Sequence, residues 1–367
     1  MSLARSPVRP GVLLLLAFLV GCGGGDATPA EEAASGQETV SDAGGDGTEG
    51  APEGAPAVEG TCAPRIIDHK FGRTEIDGPP RRVVSLTSRD QDTALALGVP
   101  PMAITDGFYE EPWTASPWVR GPLGGADPEI LPMGGELNYE QIAGLRPELI
   151  LARGSGMTER DYDILSQIAP TVAQSGDFAD FGAPWQEITR TLGRALCREE
   201  RAEERIAEVE AALDEVREDH PELAGASAAV ALPGGPEGSY WVYGPQDSRV
   251  RFLTTLGLEL PPAIARVTGD RFAATISAER LDLVDRDVLI WMGTPEQEAT
   301  VRRNPLYQRL EVARENRHAF LRFDSVLTAA WTNTSVLNIP YLIEELVPRI
   351  VSALQGSPRT TDAQPAA

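Results

Sequence analysis

Apolar and polar positions fall along this chain in blocks whose period changes. RVVSL (82–86), PMAITD (101–106), ELILARG (148–154) and TVAQS (171–175) are short β-like runs. Helical patterns lie between them, including DTALALG (92–98) and an amphipathic stretch over 158–168. Strands buried on both faces are near-continuously apolar, and their alternation with helices indicates βα units around a parallel sheet. The second half repeats the plan. SAAVALPGG (227–235) reads as a strand entering a Gly/Pro loop, and RVRFLTTLG (249–257) as a helix ending at a glycine.

One internal match is closer than the rest. YEQIAGLRPELILARG (139–154) aligns with AERLDLVDRDVLIWMG (278–293) at a constant offset, so Glu140 falls on Glu279 and Gly154 on Gly293. In both, a Glu opens a short amphipathic helix, a polar turn follows, and a strand ends in Gly. Such a repeat implies two lobes of similar architecture. Between them, 184–219 reads almost wholly helical, with Ile188, Leu192 and Leu196 and then Ile206, Val209 and Leu213 on apolar stripes. The expected division is an N-terminal lobe over 62–183, a helical connector over 184–219, a C-terminal lobe over 220–352 and a disordered tail over 353–367.

The chain's beginning has a different character. The apolar block after Arg5 and Arg9 ends in LVGCGGG, shorter than the roughly 20 residues a transmembrane helix needs, and has the layout of an export signal. Leu19-Val20-Gly21-Cys22 resembles a bacterial lipobox, which implies cleavage after residue 21 and a lipid on Cys22. Residues 23–61 hold nine Asp or Glu and no Lys or Arg. With few large apolar groups, 22–61 is expected to be a disordered spacer. The formal charge of −23 argues against a nucleic-acid partner, whose phosphates it would repel. Of the three cysteines, Cys62 and Cys197 remain as a disulfide candidate in an oxidising compartment, the alternative being two separate thiols.

Taken together, the lipobox, RVVSL, LNYEQIAGLRPELIL, ISAERLDLVDRDVLI and the single helical connector resemble the substrate-binding lipoproteins of bacterial ABC importers. The branch is the one with a helical backbone that handles ferric siderophores, haem and cobalamin. GSYWVYGPQDSRVRFLTTLG and NPLYQRL are most similar to its iron-siderophore members. The resemblance implies an α/β fold of two Rossmann-like lobes with parallel sheets, joined by a long helical connector, with a ligand cleft between the lobes. It implies a monomer without catalysis, intrinsic cofactor or protein-bound metal. Its partners would be a ferric siderophore, an ABC permease, through it a cytoplasmic ATPase, and the membrane through the lipid anchor. The location would be the outer face of the cell membrane or the periplasm.

Open α/β sheets bind ligands beyond the carboxyl ends of their strands, which nominates residues following the runs above. In the first half these are Arg89, Tyr109, Trp113 and Arg153, with Ser88 and Trp118 nearby. In the second they are Tyr240, Trp241, Tyr243, Arg249, Arg271, Trp331 and Thr332. Guanidinium forks and aromatic faces suit a bulky, partly apolar and often anionic chelate. Each aromatic side chain has a core or lobe-interface reading beside the cleft reading, Arg89 also a local pairing with Asp90 or Asp92, and Trp291 reads as core. Glu140 and Glu279 stand where the family places permease-docking glutamates, or are first-turn glutamates favoured by the helix dipole.

Bare-metal receptors need several converging His, and only His69, His220 and His318 exist. A haem or cobalamin receptor of the same family stays open, with Tyr109, Tyr240 or Tyr243 as haem ligands. For a two-lobed enzyme, neither a G-x-G-x-x-G after the first strand nor a G-x-S-x-G elbow is present. A surface sensor without transport is the remaining reading.

Overall fold

A computed structural model of the chain describes residues 62–106, 112–132, 136–235 and 238–357. Cys22 and Tyr109 lie outside the described residues. The body opens with an antiparallel hairpin of β1 (Arg65–His69) and β2 (Gly72–Ile76). The N-terminal lobe follows as β3 (Val83–Ser85), α1 (Ser88–Ala96), β4 (Ala103–Asp106), α2 (Pro117–Leu123), β5 (Glu129–Pro132), α3 (Tyr139–Gly144), β6 (Leu149–Leu151), α4 (Glu159–Ile168) and β7 (Thr171–Val172). Its five strands lie in the order β5-β4-β3-β6-β7, all parallel. Every residue of β3 and β6 is buried, which is why both read as unbroken apolar runs.

The connector comprises α5 (Trp185–Ala195) and α6 (Glu199–Asp219). The helical pattern over 184–219 is thus interrupted once, where Cys197 takes a left-handed φ of 56°. The chain turns tightly there, with the Arg198 amide donating to the Gly193 carbonyl at 2.7 Å. Gly193 has a steric reason, since a Cβ on it would meet the Ala202 Cβ at 2.5 Å. Cys62 and Cys197 form a disulfide with Cα atoms 6.2 Å apart. It closes the start of the body onto this corner.

The C-terminal lobe contains β8 (Ala228–Pro233), β9 (Tyr240–Tyr243), α7 (Ser248–Thr255), α8 (Pro262–Thr268) and β10 (Ala273–Ile276). It continues with a 3₁₀ segment over Ala278–Val284, β11 (Val288–Gly293), α9 (Pro295–Arg303), α10 (Glu311–Arg314) and β12 (His318–Arg322). Helices α11 (Val326–Thr332), α12 (Ile339–Glu345) and α13 (Val347–Leu354) complete it. The strand order is β10-β9-β8-β11-β12, with β8, β11 and β12 parallel. Within this second sheet β9 runs antiparallel to both neighbours. The loop between β8 and β9 is too short for a parallel crossover, which takes a dozen or more residues. Gly234, at a φ of 99°, starts that turn.

The internal repeat occupies equivalent ground in both lobes, because β6 lies beside β3 and β11 lies beside β8. The copies diverge locally. Glu140 sits in an α-helix, whereas Glu279 sits in the 3₁₀ segment, which departs from helical geometry at Arg280.

The lobes are not separate bodies tied by a helix. One apolar cluster runs from the C-terminal sheet (Val230, Ile290, Met292) through Ile206, Val209 and Leu213 of α6 and on to Leu95, Ile104, Trp113 and Val119 of the N-terminal lobe. Burying each such large side chain contributes about 1.5–3 kcal/mol, so the seam resists wide opening.

Candidate ligand cleft

Beside this seam the two lobes enclose a cavity of about 590 Å³. The N-terminal wall is made by the chain leaving β3 (Leu86 to Arg89) and by the chain leaving β6 (Gly154 to Met157). Opposite it stand Gln246 to Arg249, which follow β9, together with Thr332 and Asn333 at the end of α11. Two phenyl rings, Phe181 and Phe272, border the same cavity and remain 60% and 49% exposed.

The N-terminal wall is fixed from beneath by one carboxylate. Thr87 caps α1 by accepting from the Asp90 amide at 3.2 Å, and both Asp90 oxygens accept from the Gly154 amide at 3.0 and 3.2 Å. Burial raises the Asp90 carboxyl to about 6, against the lowering effect of that amide and of Arg89. Gly154 is needed for this closeness, since a Cβ there would lie 3.0 Å from Thr87 Oγ1. Arg89 donates from Nη1 to the Phe181 carbonyl at 2.9 Å and from Nη2 to the Ala183 carbonyl at 2.5 Å, while its buried Nε has no partner among the described residues. Burial lowers its guanidinium to about 10. The Phe181 amide in turn donates to the Ser155 carbonyl at 3.2 Å, and the residue adopts a φ of 62°. The ring is therefore held at the rim by its own backbone.

On the other wall Asp247 caps α7 and grips Arg249 with both oxygens, at 2.8 Å from Nε and 2.6 Å from Nη2. The same guanidinium lies 3.9 Å over the Tyr243 ring. Asp161 also borders the cavity. Although partial burial acts the other way, hydrogen bonds from the Tyr139 hydroxyl and from the Thr158 amide and hydroxyl hold its carboxyl below the usual range.

Of the residues nominated from sequence, Arg89, Arg249 and Thr332 line this cavity, as does Ser88. Arg153 is buried just behind it, paired with Glu187 and donating from Nη1 to the Asp68 and Ala173 carbonyls, each at 3.1 Å. It braces the lobe rather than presenting a fork to a ligand. Arg271 is exposed next to Phe272 and donates to the Val267 and Thr268 carbonyls.

The nominated aromatic residues lie mostly elsewhere. Trp331 is fully buried on α11, because TAAWT continues the helix that Ser325 caps. Tyr240, Trp241 and Tyr243 form β9 itself. Tyr240 packs against the buried Trp291, its hydroxyl accepting from Asn304 at 2.9 Å. Trp241 packs on the apolar seam, and Tyr243 lies beneath Arg249. Trp113 joins the seam and donates from Nε1 to Asp92 at 2.7 Å.

Asp92 was no cleft candidate, yet it organises the ground next to the cavity. Its Oδ1 accepts from Trp113 and from Trp118 Nε1 at 3.2 Å, and its Oδ2 from Ser335 Oγ at 2.7 Å and Asn338 Nδ2 at 3.1 Å. One oxygen thus faces the N-terminal lobe and the other the chain after α11. Burial raises this carboxyl too to about 6.

Sequence reasoning also missed Phe181, Phe272, Gln246 and Asp247. Asp247 carried a legible sign, an Asp-Ser pair ahead of an apolar helix; the two phenylalanines sit in aperiodic loops. Among the described residues no group of three or more His, Cys, Asp or Glu is placed to hold a metal ion, and no helix is long and apolar enough to cross a membrane.

Two α/β lobes closing over a shared cavity, on a fixed helical backbone, define a two-lobed ligand-binding protein. Residues 83–324 match the periplasmic binding protein family, and the chain belongs to that family. It is 24% identical over 299 residues to the ferric-anguibactin-binding protein FatB of Vibrio anguillarum, covering 77% of this chain and 87% of that protein. The iron-uptake substrate-binding protein PiaA of Streptococcus pneumoniae, solved with ferrichrome, superposes with a TM-score of 0.71 at 28% identity, covering 80% of this chain and 99% of that one. A periplasmic solute binding protein of Mycobacterium smegmatis gives 0.69 at 32% identity, covering 79% and 99%.

Proposed function

We propose that this protein is an extracytoplasmic solute-binding lipoprotein that captures a ferric siderophore between its lobes and delivers it to an ABC permease for iron uptake. The cavity of about 590 Å³ carries the reading, since it is walled by both lobes and is of a size that takes a compact chelate. The names of the relatives, a ferric-anguibactin binder and a protein solved with ferrichrome, support the cargo. In this reading the protein acts as a monomer, performs no chemistry of its own, and is anchored through a lipid on Cys22.

Glu140 and Glu279 are the docking residues in this reading. Both are exposed and both stand two residues after a helix cap, Asn138 and Ser277 respectively. A hydrogen bond from Ser277 holds the Glu279 carboxyl below its usual range, so it is charged throughout the neutral region. They would meet arginines of the permease, and such contacts govern orientation and encounter more than affinity. ATP hydrolysis by the permease's cytoplasmic ATPase would then drive release.

The test pairs binding with transport. Titrating the full-length protein with ferric siderophores should quench tryptophan fluorescence saturably and without turnover. Reversing both charges (Glu140→Lys with Glu279→Lys) should abolish uptake by cells while leaving affinity unchanged. Loss of affinity in that double variant would move the glutamates from docking to the fold; product formation would point to an enzyme.

A further inference from the structure

The cleft's charges point to one class of chelate. Its described lining carries two arginines, Arg89 and Arg249, and two aspartates, Asp161 and Asp247. Each arginine is already engaged by the protein: Arg249 by both oxygens of Asp247, Arg89 by two main-chain carbonyls with Asp90 buried beside it. Nearby cations are engaged too. Arg251 donates to the Pro245 carbonyl and Gln246 Oε1, Arg271 to two carbonyls, Arg153 to Glu187, and Lys70 to Asp180. The internal segments 107–111, 133–135 and 236–237 contain no Lys or Arg, but three glutamates. The remaining lining is neutral: hydroxyls and amides such as Ser88, Gln246 and Asn333, and the two rim phenyl rings.

Resting on the reading of this cleft as a siderophore site, we infer that its cargo is an electrically neutral ferric complex of the tris-hydroxamate kind, and that multiply anionic catecholate and carboxylate chelates are discriminated against. Three hydroxamate anions cancel the charge of ferric iron. Such a complex enters with no charge to compensate, its ligand oxygens and amides meet neutral donors, and its apolar flanks meet Phe181 and Phe272. A tris-catecholate complex keeps three negative charges. Burying them requires free cations, or the breaking of ion pairs such as Arg249–Asp247, and an uncompensated buried charge is costly.

Full-length protein would be titrated by calorimetry with ferrichrome, as the neutral tris-hydroxamate, with ferric enterobactin, as the trianionic tris-catecholate, and with ferric citrate. Ferrichrome should bind at least 100-fold more tightly than either anionic complex. Asp247→Asn loosens the hold on Arg249, and Asp161→Asn removes a rim charge without touching that pair. Either substitution should narrow the gap about tenfold by improving the anionic complexes. Tighter binding of an anionic complex, or an unchanged gap in both variants, overturns the charge assignment while the receptor reading stands. Failure of all three complexes to bind overturns the receptor reading itself.

Discussion

Asp90 and Asp92 stand two residues apart on α1, both are fully buried, and burial raises both carboxyls to about 6. They differ in what they hold. Asp90 receives the Gly154 amide and so ties two loops of a single lobe into one wall of the cleft. Asp92 divides its oxygens between Trp113 and Trp118 on one side and Ser335 and Asn338, more than 240 residues later, on the other. The same chemistry on one helix thus shapes a binding surface at one position and joins two lobes at the next. Burying a carboxylate is tolerable at each place because several donors converge on it.

The largest effect is expected from Asp92→Ala. Each buried donor left unpaired costs about 1–3 kcal/mol, so the substitution should destabilise by roughly 3–5 kcal/mol in urea unfolding. It should also broaden the lobe separation seen by small-angle scattering; an unchanged scattering profile would deny Asp92 its joining role. The matching Asp90→Ala should cost less, roughly 2–3 kcal/mol, and act locally. Faster amide exchange at Gly154 with unaltered scattering would separate the two roles, and identical behaviour of the two variants would erase the contrast.

A titration sharpens the comparison further. Because the folded Asp92 carboxyl is raised to about 6 from 3.8, the folded state holds its proton more tightly. The stability this contributes is complete below about pH 4 and lost as pH rises through 6. The stability of the wild type relative to Asp92→Asn should therefore fall between pH 4 and 6 and level off above. A flat difference would mean that the carboxyl is not desolvated in the folded protein. The smallest effect belongs to Ser335→Ala, which removes one of four donors and should cost about 1 kcal/mol.

The fold was more legible in the sequence than the site. β3, β4 and β6 stood out because strands buried on both faces leave unbroken apolar runs, and the repeat pairing Glu140 with Glu279 fell on corresponding places in the two lobes. The break at Cys197 did not stand out, since the apolar stripe continues across it and the left-handed residue is not a glycine. The reversed direction of β9 depended on a loop length that only the strand ends define. The site was harder for a different reason. Arg89, Arg153 and Arg249 look alike in sequence, but their partners are two loop carbonyls, a glutamate of α5 and the aspartate two positions earlier. Whether a guanidinium faces a ligand is decided by which of these lies near. Asp92 was least visible, because an acidic residue in the first turns of a helix is ordinary until the tryptophans and the distant serine and asparagine converge on it.

The bridge from Cys62 to Cys197 also has a mechanical meaning. The described body begins at Cys62, so any pull transmitted along the preceding chain reaches a covalent junction before it reaches β1. From there the load passes to the corner between α5 and α6, and the β1–β2 hairpin is spared from being peeled away strand by strand. Load entering at Cys62 would in this way be borne by the two connector helices, and α5 carries Glu187, the partner of Arg153 behind the cleft wall.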